Sequence, residues 1–227
     1  FNGFPLVYPD TGTYLEAAAT LQPPLDRPIF YSLFLRATQS LVRSPWATVA
    51  VQALILVWLL RLFLDRVRPE LGSRREAGLL LLLAAGTGLP WISGQLMPDI
   101  FTGYLAVAFY LFLFHSPTLG AARFPLGAVF VSCLFVHTSH IAITALLLGL
   151  LFLDPALRPR LRWPAALLAV ALVAIPAANR IGGGRFSLSS WGHNFLMIRL
   201  TEDGLVERLL RDRCAHRRYV LCAHEEE

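Results

Sequence analysis

The chain has 227 residues, 56% of them apolar and only 15% charged, with a formal net charge of +5 and a mean hydropathy of +0.56. Soluble domains carry about 25% charged residues, so this balance excludes an ordinary water-soluble globule and points to an integral membrane protein. All 20 basic residues are Arg, set between apolar runs with no aromatic-interleaved basic surface, so the positive charge reads as membrane topology rather than nucleic-acid binding.

The sequence begins at Phe1 rather than Met and reads as a piece of something longer, with a transmembrane helix expected ahead of it. Phe1 to Asp10 has no basic n-region and no long apolar h-region, so no signal peptide is read there. Residues 1–45 form a polar, proline-rich loop. Pro9 and Asp10 set a turn, and Asp10 or Thr11 caps a helix with a stripe of Tyr14, Leu15, Ala18 and Leu21 that ends at Pro23 and Pro24. A second helix follows, with Ile29, Phe30, Leu33, Phe34, Ala37 and Leu41 facing one way and Arg36, Gln39 and Arg43 elsewhere. That is the pattern of an amphipathic helix lying in the membrane interface.

Six helical spans are expected next. The first, 46–64, has one charge, Arg61, close enough to its end to snorkel. The second, 77–93, is loosened at its far end by Gly86, Gly88 and Pro90, and the third, 100–114, is short. Residues 124–153 are too many for one ordinary crossing at about 1.5 Å of rise per residue. The polar break His137-Thr138-Ser139-His140 divides them into spans 124–136 and 141–153. The sixth span is 164–178. Lipid leaves an open sheet's backbone unsatisfied, so the fold class is all-α, a polytopic transmembrane helical bundle. Residues 179–227 read as a tail with an amphipathic helix from Phe195 to Arg211. Cys133 reads as a small core residue, while Cys214 and Cys222 can pair if the tail lies in an oxidising compartment.

Arginine counts set the sides. Arg61, Arg66, Arg68, Arg74 and Arg75, then Arg123, then Arg158, Arg160 and Arg162 fall on one side of six alternating crossings, which the positive-inside rule makes cytoplasmic. The first loop, the 93–99 turn, the histidine break and the tail then share the other side. The tail's eight arginines oppose this mildly, but long translocated segments obey the rule weakly. Asp10, Glu16, Asp26, Asp99, His137, His140 and His193 are thereby gathered at one membrane face, the arrangement expected of an interfacial active site.

The first loop also carries a resemblance. Its segments YPDTGTYL and DRPIFYSLFL resemble the first periplasmic loop of the GT-C superfamily of membrane glycosyltransferases, which includes protein O-mannosyltransferases and lipid A aminoarabinose transferases. The resemblance spans residues 1 to about 178, and its specific part is about 30 residues. It implies a bacterial inner-membrane enzyme with a periplasmic active site, in contact with membrane lipid and moving a sugar from a polyprenyl-phosphate donor to an acceptor hydroxyl or amine. It implies Asp10 as the catalytic loop acid. The tail departs from the continuation the resemblance implies, which is further helices and a soluble domain.

Such chemistry needs a base for the acceptor's proton and donors for the leaving phosphate. Asp10 is the candidate base, and Asp99 a second acid or metal ligand. Arg27 and Arg185 are candidate phosphate contacts, and Tyr14, Asp26, His137 and His140 further substrate-binding candidates. A divalent metal fits the chemistry; no organic cofactor is expected. Each residue also has a plainer role. Asp10 and Asp26 suit helix caps or local ion pairs, and Asp99 suits a helix N-terminus. The histidine pair suits a polar hinge. The GGGR run ending at Arg185 lacks the strand and Lys-Ser/Thr of a P-loop and suits an exit from the last span. Asp10 is followed by Thr11 rather than a second acid, which favours the first alternative, a non-catalytic membrane subunit acting as scaffold with membrane-protein partners. The second alternative is a transporter or flippase for lipid-linked intermediates. Against it, no span carries a charge near its centre and no inverted repeat is evident.

Overall fold

A computed structural model of the chain describes residues 3–24, 26–182, 185–189, 191–217 and 219–224, with all their side chains except those of Leu41, Gly192, His193, Phe195, Ala223 and His224. Among these residues the regular structure is helical: α1 (Pro9–Thr20), α2 (Phe30–Val42), α3 (Pro45–Val67), α4 (Ser73–Gly86), α5 (Leu89–Ser93), α6 (Ile100–His115), α7 (Arg123–Val136), α8 (Thr138–Phe152), α9 (Arg162–Ile181), α10 (Gly192–Glu202) and α11 (Leu205–Arg213).

Helix α6 is the axis of the bundle, packed against α3, α7 and α9. Its sequence, IFTGYLAVAFYLFLFH, is apolar all round, and Phe101, Tyr104, Ala108, Leu111 and Phe112 are buried on it. A helix without a polar face belongs in an interior. The outer helices do the reverse and leave Leu54, Leu82, Leu146 and Val173 exposed, while Gln52, Thr48, Thr144 and Asn179 are buried. In lipid the exposed apolar side chains cost nothing, because they meet acyl tails.

Three helical stretches are long and apolar enough to cross a membrane: Pro45–Val67, Ile100–Thr118 and Arg158–Ile181. They contain three of the six expected spans. Helices α7 and α8 form a pair bent by 118°, which makes a fourth crossing if the pair is one broken span. Their 14 and 15 residues reach roughly 21 and 22 Å, short of a hydrocarbon core of about 30 Å. The expected span 77–93 is divided as well. Thr87 is extended between α4 and α5, its hydroxyl donating to the Leu83 carbonyl and accepting from the Leu89 N–H; the hydroxyl offers the backbone an alternative to helix.

Of the two expected amphipathic helices, α2 packs on the protein through a face the pattern did not mark, and the tail helix is corrected. On α2 the buried residues are Tyr31, Ser32, Leu35 and Thr38, while Leu33 and Ala37 are exposed and Phe34 is half-buried. Hydrogen bonds decide the face: the Tyr31 hydroxyl donates to Gln52 Oε1 at 2.9 Å, and the Thr38 and Thr48 hydroxyls bond at 2.7 Å. The expected Leu41 contact lies outside the described side chains. In the tail, the helix expected over 195–211 is two helices, because Gly204 takes a left-handed φ of 69° between α10 and α11. Ile198, Leu205 and Leu209 are exposed there and Leu210 is buried. Cys214 is bonded to Cys222, and Cys133 is a buried free thiol.

Candidate functional site

The chain begins by pinning its first residues to the turn ahead of α6. Leu6 N–H donates to the Gly94 carbonyl and Leu96 N–H to the Leu6 carbonyl, at 3.2 and 2.9 Å. The Thr11 hydroxyl adds a bond to the Leu96 carbonyl at 3.2 Å. Beneath this, buried Gln52 donates to the Ser93 and Gln95 carbonyls at 3.1 and 2.9 Å, and its own carbonyl accepts from Tyr104. Gln52, in the middle of α3, therefore holds α2 and the 93–95 turn through its side-chain amide and α6 through its main-chain carbonyl. The clue to it in sequence is an amide side chain inside an apolar span.

These tethers bring the first loop, the MPD turn and the α7–α8 break around one cavity of about 450 Å³. Asp10, Tyr14, Asp26 and Arg27 line it from the first loop; Met97, Pro98 and Asp99 line it from the turn; His137 and Thr138 line it from the break, and Ser189 from the tail. Asp10, Asp99 and His137, remote in sequence, thus line one cavity. Arg185 is exposed and is not among the lining residues, Glu16 lies exposed on α1, and His193 lies outside the described side chains. Met97, Pro98, Thr138 and Ser189 were not singled out from sequence; two of them, Pro98 and Thr138, adjoin residues that were.

Asp10 is not a helix cap. It occupies the second position of α1, behind Pro9, and Thr11 accepts the Tyr8 N–H instead, at 2.9 Å. That frees the Asp10 carboxylate to meet Arg27 at 3.0 Å. Arg27 is held on its other side by Asp26, through Nε at 2.8 Å, and its guanidinium lies 5.1 Å from the centroid of the Tyr14 ring. Burial works against the Arg27 charge, but the hydrogen bonds it donates to Asp26 and Asp10 outweigh that and raise its pKa. Burial raises the Tyr14 phenol too, despite the opposing Arg27 charge, so Tyr14 stays a neutral hydroxyl. Asp99 precedes α6, makes no side-chain cap and remains exposed in the cavity wall. Three carboxylates against one guanidinium leave these lining residues with a formal net charge of −2.

The two histidines divide their work. His140 is buried, its Nδ1 donating to the Cys133 carbonyl at 2.7 Å and its Nε2 bonded to the Thr102 hydroxyl at 2.9 Å. Both nitrogens are committed inside the protein, so His140 braces the break rather than reaching the polar cavity. It lines instead an apolar groove of about 300 Å³ between α6 and α8, with Thr102, Phe109, Leu113, Phe114 and Leu147 among its walls. His137 stands 5.2 Å from His140, ring to ring, and keeps much of its surface open. The protein packed around His137 nonetheless lowers its pKa, helped by His140 and opposed by Asp99. Among the described residues no group of three or more His, Cys, Asp or Glu has the arrangement of a metal site.

None of the family models, curated proteins or solved structures compared with this chain matches it.

Proposed function

We propose that the chain is the membrane-embedded catalytic part of a glycosyltransferase that draws its sugar from a polyprenyl-phosphate donor, with Asp10 as general base. The observation that carries this reading is the meeting of two compartments of opposite chemistry at the His137–His140 pair: a charged cavity on one side and an apolar groove on the other. The cavity's volume suits a sugar and a phosphate. The groove follows α6 from Thr102 to Phe114, roughly 18 Å at the helical rise, and suits an isoprenoid tail. The loop resemblance supplies the reaction class. Asp10 takes the acceptor's proton as the acceptor attacks the anomeric carbon, and the sugar–phosphate bond breaks to release polyprenyl phosphate.

In this reading the chain crosses a bacterial inner membrane six times. Helices α4 and α5 form one broken crossing, α7 and α8 are the limbs of a hairpin, and the cavity opens to the periplasm. The paired Cys214 and Cys222 suit that oxidising side. A non-catalytic subunit of the same architecture is favoured by one feature, the Asp10–Arg27 ion pair, because that carboxylate is already engaged by a guanidinium.

The full chain in lipid nanodiscs, offered a panel of radiolabelled polyprenyl-phosphate sugars and lipid or peptide acceptors, tests the choice. Asp10→Asn should lower transfer by about a hundredfold or more with little change in melting temperature. Undiminished transfer by that variant removes Asp10 as the base, and no transfer by the native chain leaves the scaffold reading.

A further inference from the structure

Helix α8 begins at a histidine rather than at a Ser, Thr, Asp or Asn. His137 has extended backbone, and its Nδ1 accepts the Ser139 backbone N–H at 3.4 Å. The Ser139 hydroxyl meets the same nitrogen at 2.8 Å. A backbone N–H can only donate, so Nδ1 carries no proton, and the hydroxyl donates to it as well. In a neutral imidazole the proton then resides on Nε2. No described partner engages that nitrogen, and His137 lines the charged cavity. Arg27, the guanidinium in the same wall, is already held by Asp10 and Asp26.

We infer that the α8 cap locks His137 into the tautomer that presents Nε2–H to the cavity, making it a neutral hydrogen-bond donor to a phosphate oxygen of a prenyl-phosphate ligand. This rests on the glycosyltransferase reading above. A neutral donor suits a cavity that already contains Asp10, Asp26 and Asp99, because it adds no charge for those carboxylates to capture. It also strengthens as the bridging oxygen gains charge during departure of the phosphate. The titratable and charged groups acting on the ring are His140, Asp99 and Arg27. Asp99, the rival acceptor, is beyond ion-pair distance of His137.

Two substitutions separate the cap from the donor. Asn places an oxygen where Nδ1 stands and caps helices well, but offers nothing at the Nε2 position. Gln places an amide N–H near the Nε2 position and loses the cap. The native chain and both variants, in nanodiscs, are titrated with undecaprenyl phosphate and followed by native mass spectrometry. His137→Asn should weaken binding by about tenfold or more at an unchanged melting temperature. His137→Gln should bind near the native level at a lower melting temperature. Imidazole ¹⁵N signals of the native chain at neutral pH should show a bare Nδ1 and a protonated Nε2. Native-level binding by His137→Asn, loss of binding by a folded His137→Gln, or the opposite tautomer each overturns the donor role. Absence of binding by the native chain overturns the glycosyltransferase reading itself, and this inference with it.

Discussion

At the scale of single residues, the cavity is governed by who is already paired. Sequence names Asp10, Asp26 and Arg27 as separate candidates, whereas the fold makes them one clasp, with Arg27 between two carboxylates. Asp99 has no such partner and Arg185 lines no part of the cavity. His137 yields a pH prediction. Its pKa is lowered in the folded chain, below a reference of about 6.5. The unfolded state therefore binds the proton more readily. The stability tied to a neutral His137 is complete above about pH 6.5 and is lost as the pH falls through the lower folded value. Thermal unfolding should show His137→Asn losing less melting temperature than the native chain between about pH 7.5 and about pH 5.5. An equal loss in both would show that His137 does not titrate in that window.

At the scale of elements, two contacts set how the loop meets the bundle. Gln52 satisfies two carbonyls of the turn before α6 and the Tyr31 hydroxyl of α2. Gln52→Leu leaves those buried groups unpaired, at on the order of 3 kcal/mol. Chemical denaturation in detergent should register the loss, and on the proposed glycosyltransferase reading sugar transfer should fall with it as the turn bearing Asp99 shifts. Gly182, at the end of α9, lies directly against the Pro23 ring, where a Cβ would overlap the ring atoms. Gly182→Ala should push the Pro23–Pro24 segment outward and cost about 1–3 kcal/mol, lowering the melting temperature by several degrees. An unchanged melting temperature would show that this approach is not tight. Apolar periodicity located α1 and α2, yet it did not mark which face of α2 packs against the protein. Tyr31 and Thr38 are buried through partners on α3, and no local pattern announces a partner that belongs to another helix.

At the scale of the whole molecule, the prediction concerns sides. Cys133 is buried and the other two cysteines are bonded to each other, so new cysteines report cleanly. Gln22→Cys in the first loop and Arg75→Cys in the first turn of α4 should react with a membrane-impermeant maleimide from opposite faces of sealed vesicles. Reaction of both from one face would dismantle the proposed topology. The same measurement on Ser116→Cys, at the far end of α6 from Asp99, tests whether α6 traverses the bilayer in full.

The long apolar runs alone determined that this chain is helical and marked α3, α6 and α9 among six expected spans, without setting these three apart as the ones long enough to cross a membrane. Such runs satisfy their backbone in lipid only as helices, and that constraint is local. The polar break at His137–His140 was equally visible, because four polar residues interrupt thirty otherwise greasy ones. Only the tertiary structure decided that the break is a sharp bend, that Arg27 is bound on both sides, that Gln52 is a hub and that His140 looks inward. These outcomes depend on hydrogen bonds between segments far apart in the chain. Where lipid and protein interior are both apolar, hydrophobicity cannot say which face of a helix turns toward its neighbours, and the polar partners choose it.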